Sequence, residues 1–241
     1  MNSMTRLRNL LLLSLLLSGT FSAVAAEIAD PRDKSLSGSA RLEALIERIK
    51  GAQGDLETLE ARFVQHQESA LLLEPEESSG TFQFAAPDQV RWEYTDPTPI
   101  SVVIDGKSMT TWYRDLGRAE TLEVGRYSSQ IFKYLGASGS METLLDYFDV
   151  NVRFPSDGAD PYALVMKPRY SRIAKKLESM TLWVDAEAYL PVRLRYVGAD
   201  GDSTEYRFEN LKINQGIPAE RFELDLNEEV DVQRIDLPRS G

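Results

Sequence analysis

Side chains able to carry out chemistry are few in this sequence of 241 residues. It contains no cysteine and a single histidine, His66, which stands between Gln65 and Gln67 near the end of a predicted strand. An enzyme needs a convergent set of reactive groups. The chain has no Gly-x-Ser-x-Gly elbow, no glycine-rich phosphate loop and no metal-ligand spacing. We therefore interpret His66 as a solvated or hydrogen-bonded residue, and we expect neither an enzyme nor a cofactor or metal.

Carboxylates are numerous, with 38 Asp and Glu against 27 Lys and Arg. None of them stands in a pattern that distinguishes a catalytic pair from an acidic surface. A hydrolase that uses two carboxylates is therefore the least supported alternative. The net charge of −11 also argues against nucleic-acid binding, because domains that bind nucleic acid usually carry a basic surface.

One cluster of basic residues reverses this balance locally, in the segment KPRYSRIAKKLE. Its members are Lys167, Arg169, Arg172, Lys175 and Lys176. A run of charges is usually a solvated face, which here would be a long hairpin. The alternative is a surface that docks onto an anionic partner or a lipid headgroup.

Large apolar residues follow a period of two in the segment GTFQFAAPDQVRWEYTDP, residues 80–97. The positions concerned are Phe82, Phe84, Val90, Trp92 and Tyr94. This period is typical of strands with one apolar face. A three-residue loop over residues 87–89 pairs Phe84 with Trp92 and Phe82 with Tyr94 on that face. A two-residue turn would place apolar side chains opposite polar ones, so the three-residue loop is favoured.

Two helical regions accompany the strands. Apolar residues at i, i+3, i+4 and i+7 predict an amphipathic helix over residues 40–49, with Ser39 as its N-cap and residues 51–54 as its end. Residues 128–147 interrupt the period of two and predict two short helices about the glycines at 136 and 139.

The remaining segments predict about ten or eleven antiparallel strands, with a strong hairpin signal at Asp105-Gly106. A sheet of that size curls or closes, and there are too few helices to cover both of its faces. The predicted fold class is mainly β (α+β), a curved and incompletely closed antiparallel barrel with helices on its concave side.

Residues 1–26 have the pattern of a secretory signal peptide. Arg6 and Arg8 precede the apolar run Leu10–Leu17, which is too short to span a bilayer. We expect cleavage after Ala25 or Ala26 and a soluble periplasmic protein of a Gram-negative bacterium. Without the two arginines of this segment the net charge changes from −11 to −13. A flexible segment, 27–38, and a single domain, 39–241, complete the predicted organisation.

From about Leu42 to Val232, the order and spacing of several segments resemble the periplasmic lipoprotein carriers of the Lol pathway, the LolA family. The segments are LEARFVQ (59–65), the aromatic strand that starts at Gly80, PDQVRWEYTDP (87–97), VVIDGKSMTTWY (102–113), YALVMKP (162–168), MTLWVDAEAYLPVRLRY (180–196), YRFENLKIN (206–214) and IPAERFELD (217–225). The resemblance implies an incomplete β-barrel closed by a helical lid around a hydrophobic cavity, with no reaction and no cofactor.

The resemblance also implies partners. Such carriers take acylated lipoproteins from an inner-membrane release complex of the ABC-transporter type, shield the acyl chains, and pass the cargo to an outer-membrane acceptor. For this chain it implies a monomer that binds no nucleic acid. Two alternatives remain open, a related module for another lipid or glycolipid and a module that senses lipoproteins.

Roles for the apolar residues follow from the resemblance. Cavity-lining candidates are Phe63, Phe82, Phe84, Val90, Trp92, Tyr94, Trp112, Leu182, Val184, Leu194 and Tyr196. Lid candidates are Leu42, Leu45, Ile49, Ile131, Phe132, Leu135, Leu144 and Leu145. For each residue alone, ordinary core packing is the alternative.

The chain departs from the family pattern at Ala86. Family members place an arginine directly before the proline of the first hairpin, where its hydrogen bonds latch the lid. Arg91 and Arg114 are candidates to replace that latch, although neither occupies the matching position.

Overall fold

A computed structural model describes residues 28–71, 74–123, 141–155 and 160–235. Its helices are α1 Gly38–Gly54, α2 Met141–Tyr147 and α3 Ser171–Ala174. The strands are β1 Thr58–Glu68, β2 Glu76–Ala85, β3 Gln89–Asp96, β4 Ile100–Asp105, β5 Ser108–Tyr113, β6 Arg118–Glu123, β7 Phe148–Arg153, β8 Tyr162–Pro168, β9 Leu177–Val184, β10 Pro191–Gly198, β11 Ser203–Ile213 and β12 Asp231–Ile235. Short 3-10 turns cover Arg114–Leu116 and Ala219–Phe222.

All twelve strands form one sheet in the order β12-β6-β5-β4-β3-β2-β1-β11-β10-β9-β8-β7. The predicted class, a mainly antiparallel sheet that does not close, is confirmed: β12 and β7 stand at its two edges. The strand count exceeds the prediction because of β12, which pairs in parallel with β6. All five β12 residues are exposed, so this strand has no alternation of buried and exposed residues by which its sequence would predict it.

Two apolar clusters lie on the same face of the sheet, which we call the inner face. One cluster combines α1 and α2 with β7–β10, and the other is built mainly on β1–β4. Ala52, near the end of α1, packs against both. The inner face is therefore apolar across most of the sheet, and α1 covers the β7–β10 half.

Contacts between aromatic rings show how strongly the sheet curls toward this face. Trp92 on β3 and the rings of β11 are separated by β2 and β1, which corresponds to roughly 14 Å in a flat sheet. The Trp92 ring centroid nevertheless lies 5.3 Å from that of Tyr206 and 5.8 Å from that of Phe208. Small residues on the intervening strands, Ala61 and Gly80, leave room for this approach. The inner face is thus concave here.

The β2–β3 hairpin has the predicted apolar face in a different register. Ala85 pairs with Gln89, Phe84 with Val90 and Phe82 with Trp92, so the loop is residues 86–88 and the predicted Phe84–Trp92 pairing is wrong. The face is the same because the two registers differ by two residues. β2 also pairs with β1, and β3 also pairs with β4. These two neighbours fix the register of the hairpin, and the sequence of the hairpin alone does not show them.

Helix α1 is longer than predicted at both ends. Its N-cap is Ser37 rather than Ser39, because the Ser37 hydroxyl accepts a hydrogen bond from the Ala40 amide at 3.2 Å. The helix continues through Gly51 to Gly54. The sequence predicted that residues 51–54, with their two glycines, would end the helix. The last turn instead packs against the apolar clusters through Ala52, and such tertiary contacts outweigh the low helix propensity of glycine.

The segment before α1 lies along the helix. The Arg41 guanidinium donates to the Pro31 carbonyl at 2.7 Å, and Arg48 donates to the carbonyls of Ile28 and Ala29 at 2.7 and 3.2 Å. These bonds hold residues 28–31, part of the segment that the sequence predicted to be flexible, against α1.

Arg91 and Arg114 lie on the outer face rather than near the inner-face apolar clusters. Both bond to the Glu93 carboxylate, at 2.6 and 2.7 Å. Arg91 also donates to the carbonyls of Arg221 and Glu223 at 3.0 and 3.1 Å. Neither arginine is therefore placed to latch helices on the inner face, as the sequence predicted, and Arg91 instead fastens the 3-10 turn Ala219–Phe222 to β3.

Trp112 also lies on the outer face, so its assignment to the apolar inner face is wrong. It pairs with Ser101 and Ala119. Met109, three residues earlier on the same strand and so on the opposite face, pairs with the inner-face residue Ile104. The Trp112 ring packs under the Arg114 guanidinium at 4.4 Å. Its size suggested the apolar face, but strand alternation decides the side.

Gly80 provides a test of the curvature. A Cβ at this position would overlap the carbonyl oxygen of Glu93 on the neighbouring strand. We expect Gly80→Ala to lower the free energy of unfolding by about 2 kcal/mol or more, because backbone must shift to admit the methyl group. Urea unfolding measures this. Gly51→Ala is the control, since a Cβ there meets open space and alanine favours the helix by up to about 1 kcal/mol. Equal stabilities for the two variants would contradict the close approach of β2 and β3.

Arg91 provides a test of the outer-face contact. We expect Arg91→Met to speed amide hydrogen exchange across residues 219–226, because hydrogen bonds from a charged donor contribute about 1.5–3 kcal/mol. Exchange measured by mass spectrometry should change little in Arg62→Met, which removes an exposed arginine from β1. Unchanged exchange of residues 219–226 in Arg91→Met would show that other contacts hold the turn.

Candidate functional site

The candidate site is a group of six aromatic rings on the concave part of the inner face, which we call the aromatic cluster. Its members are Phe63, Phe82, Trp92, Tyr94, Tyr206 and Phe208. Their centroids lie between 4.7 Å, for Phe82 and Trp92, and 6.4 Å, for Phe63 and Tyr206. These distances are those of edge-to-face and tilted ring pairs. Four strands, β1, β2, β3 and β11, contribute to the cluster.

Strand pairing explains how these rings meet. Phe63 on β1 and Tyr94 on β3 both pair with Gly80 of the strand between them. Because Gly80 has no side chain, the two rings close over it at 4.9 Å. Phe82 fills the next level, between Ala61 and Trp92. The sequence therefore places its smallest residues where the largest side chains must touch.

One end of the concave face is closed by apolar residues. Phe84, Val90 and Ile104 are buried there. Leu56, in the connection from α1 to β1, and Leu190, in the turn before β10, pack against the same cluster. These five side chains offer hydrocarbon contact, and we call this the closed end.

The other end carries hydroxyl groups. The Tyr94 hydroxyl donates to the Gln65 side-chain oxygen at 2.8 Å, and the Tyr206 hydroxyl interacts with those of Tyr94 and Tyr196. Burial raises the pKa of Tyr94 and that of Tyr206. A phenol is neutral at physiological pH even without such a shift, so both hydroxyls can donate hydrogen bonds. Tyr196 is 37% exposed, which places this end at the edge of the solvent. We call it the polar end.

A margin of half-buried apolar residues extends the cluster toward β6. Val102, Met109 and Leu122 pack against it from β4, β5 and β6. Tyr206, Phe208 and these three residues were not among the predicted site residues. The sequences of β4, β5 and β11 alternate, and this alternation divides each strand into two sets of side chains on opposite faces. Only the register of the neighbouring strands shows which set faces the aromatic cluster.

The remaining predicted cavity residues lie on the β7–β10 half. Leu182, Val184 and Leu194 are buried there together with the lid candidates Leu45, Ile49 and Leu144. Leu42 and Leu145 are partly buried against the same group. Burial raises the pKa of Tyr162, in the middle of this group, to about 12. Ile131, Phe132 and Leu135 lie outside the described residues.

The basic cluster surrounds the short connection between β8 and β9. Lys167, Arg169, Arg172, Lys175 and Lys176 are all exposed. Arg169 pairs with Asp149 at 2.8 Å. Tyr170 is exposed beside them, and its ring meets that of Tyr147 at 5.8 Å. The structure therefore presents a basic surface with two tyrosines at one end of the molecule.

Two grooves lie on the outer face. One of about 710 Å³ is lined by Arg153, Trp183, Arg193 and Arg207 among others, and one of about 350 Å³ adjoins it at His66 and Arg195. Glu205 accepts hydrogen bonds from Arg193 and Arg207 at 2.6 and 2.8 Å, which offsets their charge. His66 lies 3.2 Å from the Glu77 carboxylate, in agreement with its interpretation as a hydrogen-bonded residue.

Among the described residues, no group of three or more histidine, aspartate or glutamate side chains is arranged to hold a metal ion. The same part of the chain contains no helix of the length and apolarity that crossing a membrane requires.

Comparison with known proteins agrees with this geometry. The model of the family described as "Outer membrane lipoprotein carrier protein LolA" matches residues 54–225. An outer-membrane lipoprotein carrier protein of Alkalilimnicola ehrlichii is 30% identical over 184 residues, which cover 74% of this chain and 78% of that protein. The protein of the same description from Pseudomonas entomophila is 28% identical over 223 residues, 92% of this chain and 96% of the other.

Solved structures show the same fold at low sequence identity. An uncharacterized conserved protein from Thermus thermophilus superposes with a TM-score of 0.52 at 11% identity, over 80% of this chain and 99% of that one. MucB superposes with a TM-score of 0.50 at 16% identity, over 81% of this chain and 66% of its own. The match over residues 54–225 and the 30% identical relative establish that the chain belongs to the LolA family of outer-membrane lipoprotein carrier proteins.

Proposed function

We propose that this protein carries acylated lipoproteins by holding their acyl chains against the aromatic cluster and its margin. The observation that supports this most strongly is the curved inner face, where six packed rings and the half-buried Val102, Met109 and Leu122 form one continuous apolar layer. Family membership agrees with the proposal. The role is binding and release, without a chemical reaction.

The energetics of acyl chains explain why such a surface is needed. Each methylene removed from water contributes about 0.8 kcal/mol, so about a dozen methylenes contribute roughly 10 kcal/mol. A lipid-modified protein therefore does not cross an aqueous compartment unaided. A carrier must cover the chains and also release them. Here the rings contact each other at 4.7–6.4 Å, and these mutual contacts stabilise the unloaded face and so reduce the net affinity for cargo.

The cellular setting is part of the proposal. Residues 1–26 would direct export to the periplasm, and residues 39–241 would act there as a single carrier domain and as a monomer. The acyl chains would be received from an inner-membrane release complex of the ABC-transporter type and passed to an outer-membrane acceptor. The relatives' description as lipoprotein carriers supports this route.

The inner-face margin provides a test with a matched control. We expect Met109→Glu to weaken binding of a synthetic triacylated lipopeptide by about tenfold or more, because the new carboxylate loses hydration when acyl chains cover it. Thr110→Glu changes the next residue of β5, which faces outward, and should bind as the unchanged protein does. Native mass spectrometry of the chain without residues 1–26 measures both affinities.

Urea unfolding of both variants shows whether each is folded. Equal affinities for Met109→Glu and Thr110→Glu in folded proteins would contradict the assignment of the inner face. A free glycolipid retained after purification from the periplasm, with no affinity for lipopeptide, would favour a different lipid cargo.

We further propose that the basic cluster docks the carrier onto an anionic partner or lipid headgroups during transfer. Four of its five cations, Lys167, Arg172, Lys175 and Lys176, form no ion pair within the described residues, and they oppose the net charge of the rest of the chain. Two exposed tyrosines beside them, Tyr147 and Tyr170, suit a surface that is apolar as well as charged.

Charge reversal tests this docking. We expect the triple variant Arg172→Glu, Lys175→Glu and Lys176→Glu to slow transfer of bound lipopeptide to acceptor vesicles that contain anionic lipid, most strongly at low salt. The control reverses three dispersed exposed residues, Lys34, Arg62 and Lys107, with the same change in net charge. Equal transfer rates for the two triple variants would exclude a local docking role.

A further inference from the structure

The polar end of the inner face carries donors and acceptors where a purely hydrocarbon ligand would need none. We propose that Gln65, Tyr94, Tyr196 and Tyr206, which we call the tyrosine rim, bind the ester carbonyl groups that join acyl chains to a headgroup. This inference rests on the proposed function and extends it, because it names the chemical group recognised and the direction in which the lipid lies.

The rim residues converge from four strands. Gln65 on β1 pairs directly with Tyr206 on β11, and Tyr206 pairs with Leu194 on β10, two residues before Tyr196. Tyr94 reaches them from β3 and donates to Gln65 at 2.8 Å. Three hydroxyls and one amide thus lie together at the polar end of the aromatic cluster, although their strands place them on successive levels of the sheet.

A gradient in burial accompanies this change in chemistry. Phe63 is 1% exposed and Trp92 is 8% exposed, whereas Tyr196 at the rim is 37% exposed. At the opposite end Leu56 and Leu190 close the face. Acyl chains that lie with their methyl ends at the closed end therefore place their ester groups at the rim and their headgroup in solvent.

The rim chemistry suits this position. An ester carbonyl accepts hydrogen bonds and donates none, while a phenol and a primary amide both supply donors. A phenol is neutral at physiological pH and can donate, and burial raises the pKa of Tyr94 and Tyr206 still further. Without cargo the rim hydroxyls bond within the rim, Tyr94 to Gln65 and Tyr206 to Tyr94 and Tyr196, which reduces the cost of leaving them without the carbonyls.

Removing hydroxyls while keeping the rings isolates this recognition. In the double variant Tyr94→Phe and Tyr206→Phe, the ring contacts with Phe63 at 4.9 Å and with Trp92 at 5.3 Å remain available. We expect about tenfold weaker binding of a dipalmitoylglyceryl-cysteinyl peptide with ester linkages, corresponding to the loss of about two neutral hydrogen bonds. Binding of the matched dialkyl-ether peptide, which has no carbonyl on its chains, should be unchanged.

Calorimetric titration of both peptides against the double variant and the unchanged protein gives the ester-to-ether preference. Tyr189→Phe, which removes a hydroxyl from the β7–β10 half of the inner face, is the control and should keep the original preference. If the double variant does not fold, Gln65→Met tests the same rim. An unaltered preference in the folded variant, or equal losses for both peptides, overturns the inference.

Two further outcomes are informative. One distinguishes a lipoprotein from a free glycerolipid as the source of the ester carbonyl, and the other distinguishes failure of the rim from failure of the proposed function. Ester-dependent binding of dipalmitoyl phosphatidylglycerol as tight as that of the lipopeptide would support the rim and identify a free glycerolipid as the source of the ester. Failure of the unchanged protein to bind either peptide would overturn the proposed function itself, which is distinct from a lost preference in the variant.

Discussion

The contact between aromatic rings on β3 and β11 is the interaction on which the rest of this structure depends. Trp92 meets Tyr206 at 5.3 Å across two intervening strands, and that distance requires a tightly curved sheet. The curve in turn depends on the small residues Ala61 and Gly80 beneath the rings. It converts an ordinary apolar sheet face into a concave surface that can surround a chain-like ligand from several sides.

The two faces of the sheet differ in the interactions that hold them. Outer-face charges bond to one another and to backbone, as Glu93 does with Arg91 and Arg114, and they fix the C-terminal turn. The inner face is held differently in its two halves: α1 buries the β7–β10 half, while the margin of the aromatic cluster at Val102 and Met109 stays half-buried. In the proposed carrier role this asymmetry would let one half maintain the fold while the other exchanges its contacts for acyl chains.

Periodicity predicted much of this architecture. Alternation placed Phe63, Phe82 and Trp92 on one face, and the i, i+3, i+4 pattern placed Leu45 and Ile49 against the sheet, because both are local properties of the chain. Register was not local. The β2–β3 pairing is fixed by β1 and β4, and Trp112 faces outward because of the strands beside it.

Hydrogen-bond partners distant in sequence were also beyond the reach of periodicity. Arg91 bonds to carbonyls 130 and 132 residues further along the chain, which no motif indicates. The same holds for the polar end, where Tyr94 finds Gln65 only after β1, β2 and β3 have paired. Composition identified an apolar surface, and only the assembled sheet shows that this surface has a closed end and a polar end.

The three tryptophans offer a direct measurement of the central claim, that acyl chains bind to the inner face. Trp92 belongs to the aromatic cluster, whereas Trp112 and Trp183 pair with outer-face residues. Lipopeptides with brominated acyl chains quench indole fluorescence on contact. We expect saturable quenching in the unchanged protein that is lost in Trp92→Phe. Quenching that persists in Trp92→Phe, or lipopeptide binding without any quenching, would contradict the account.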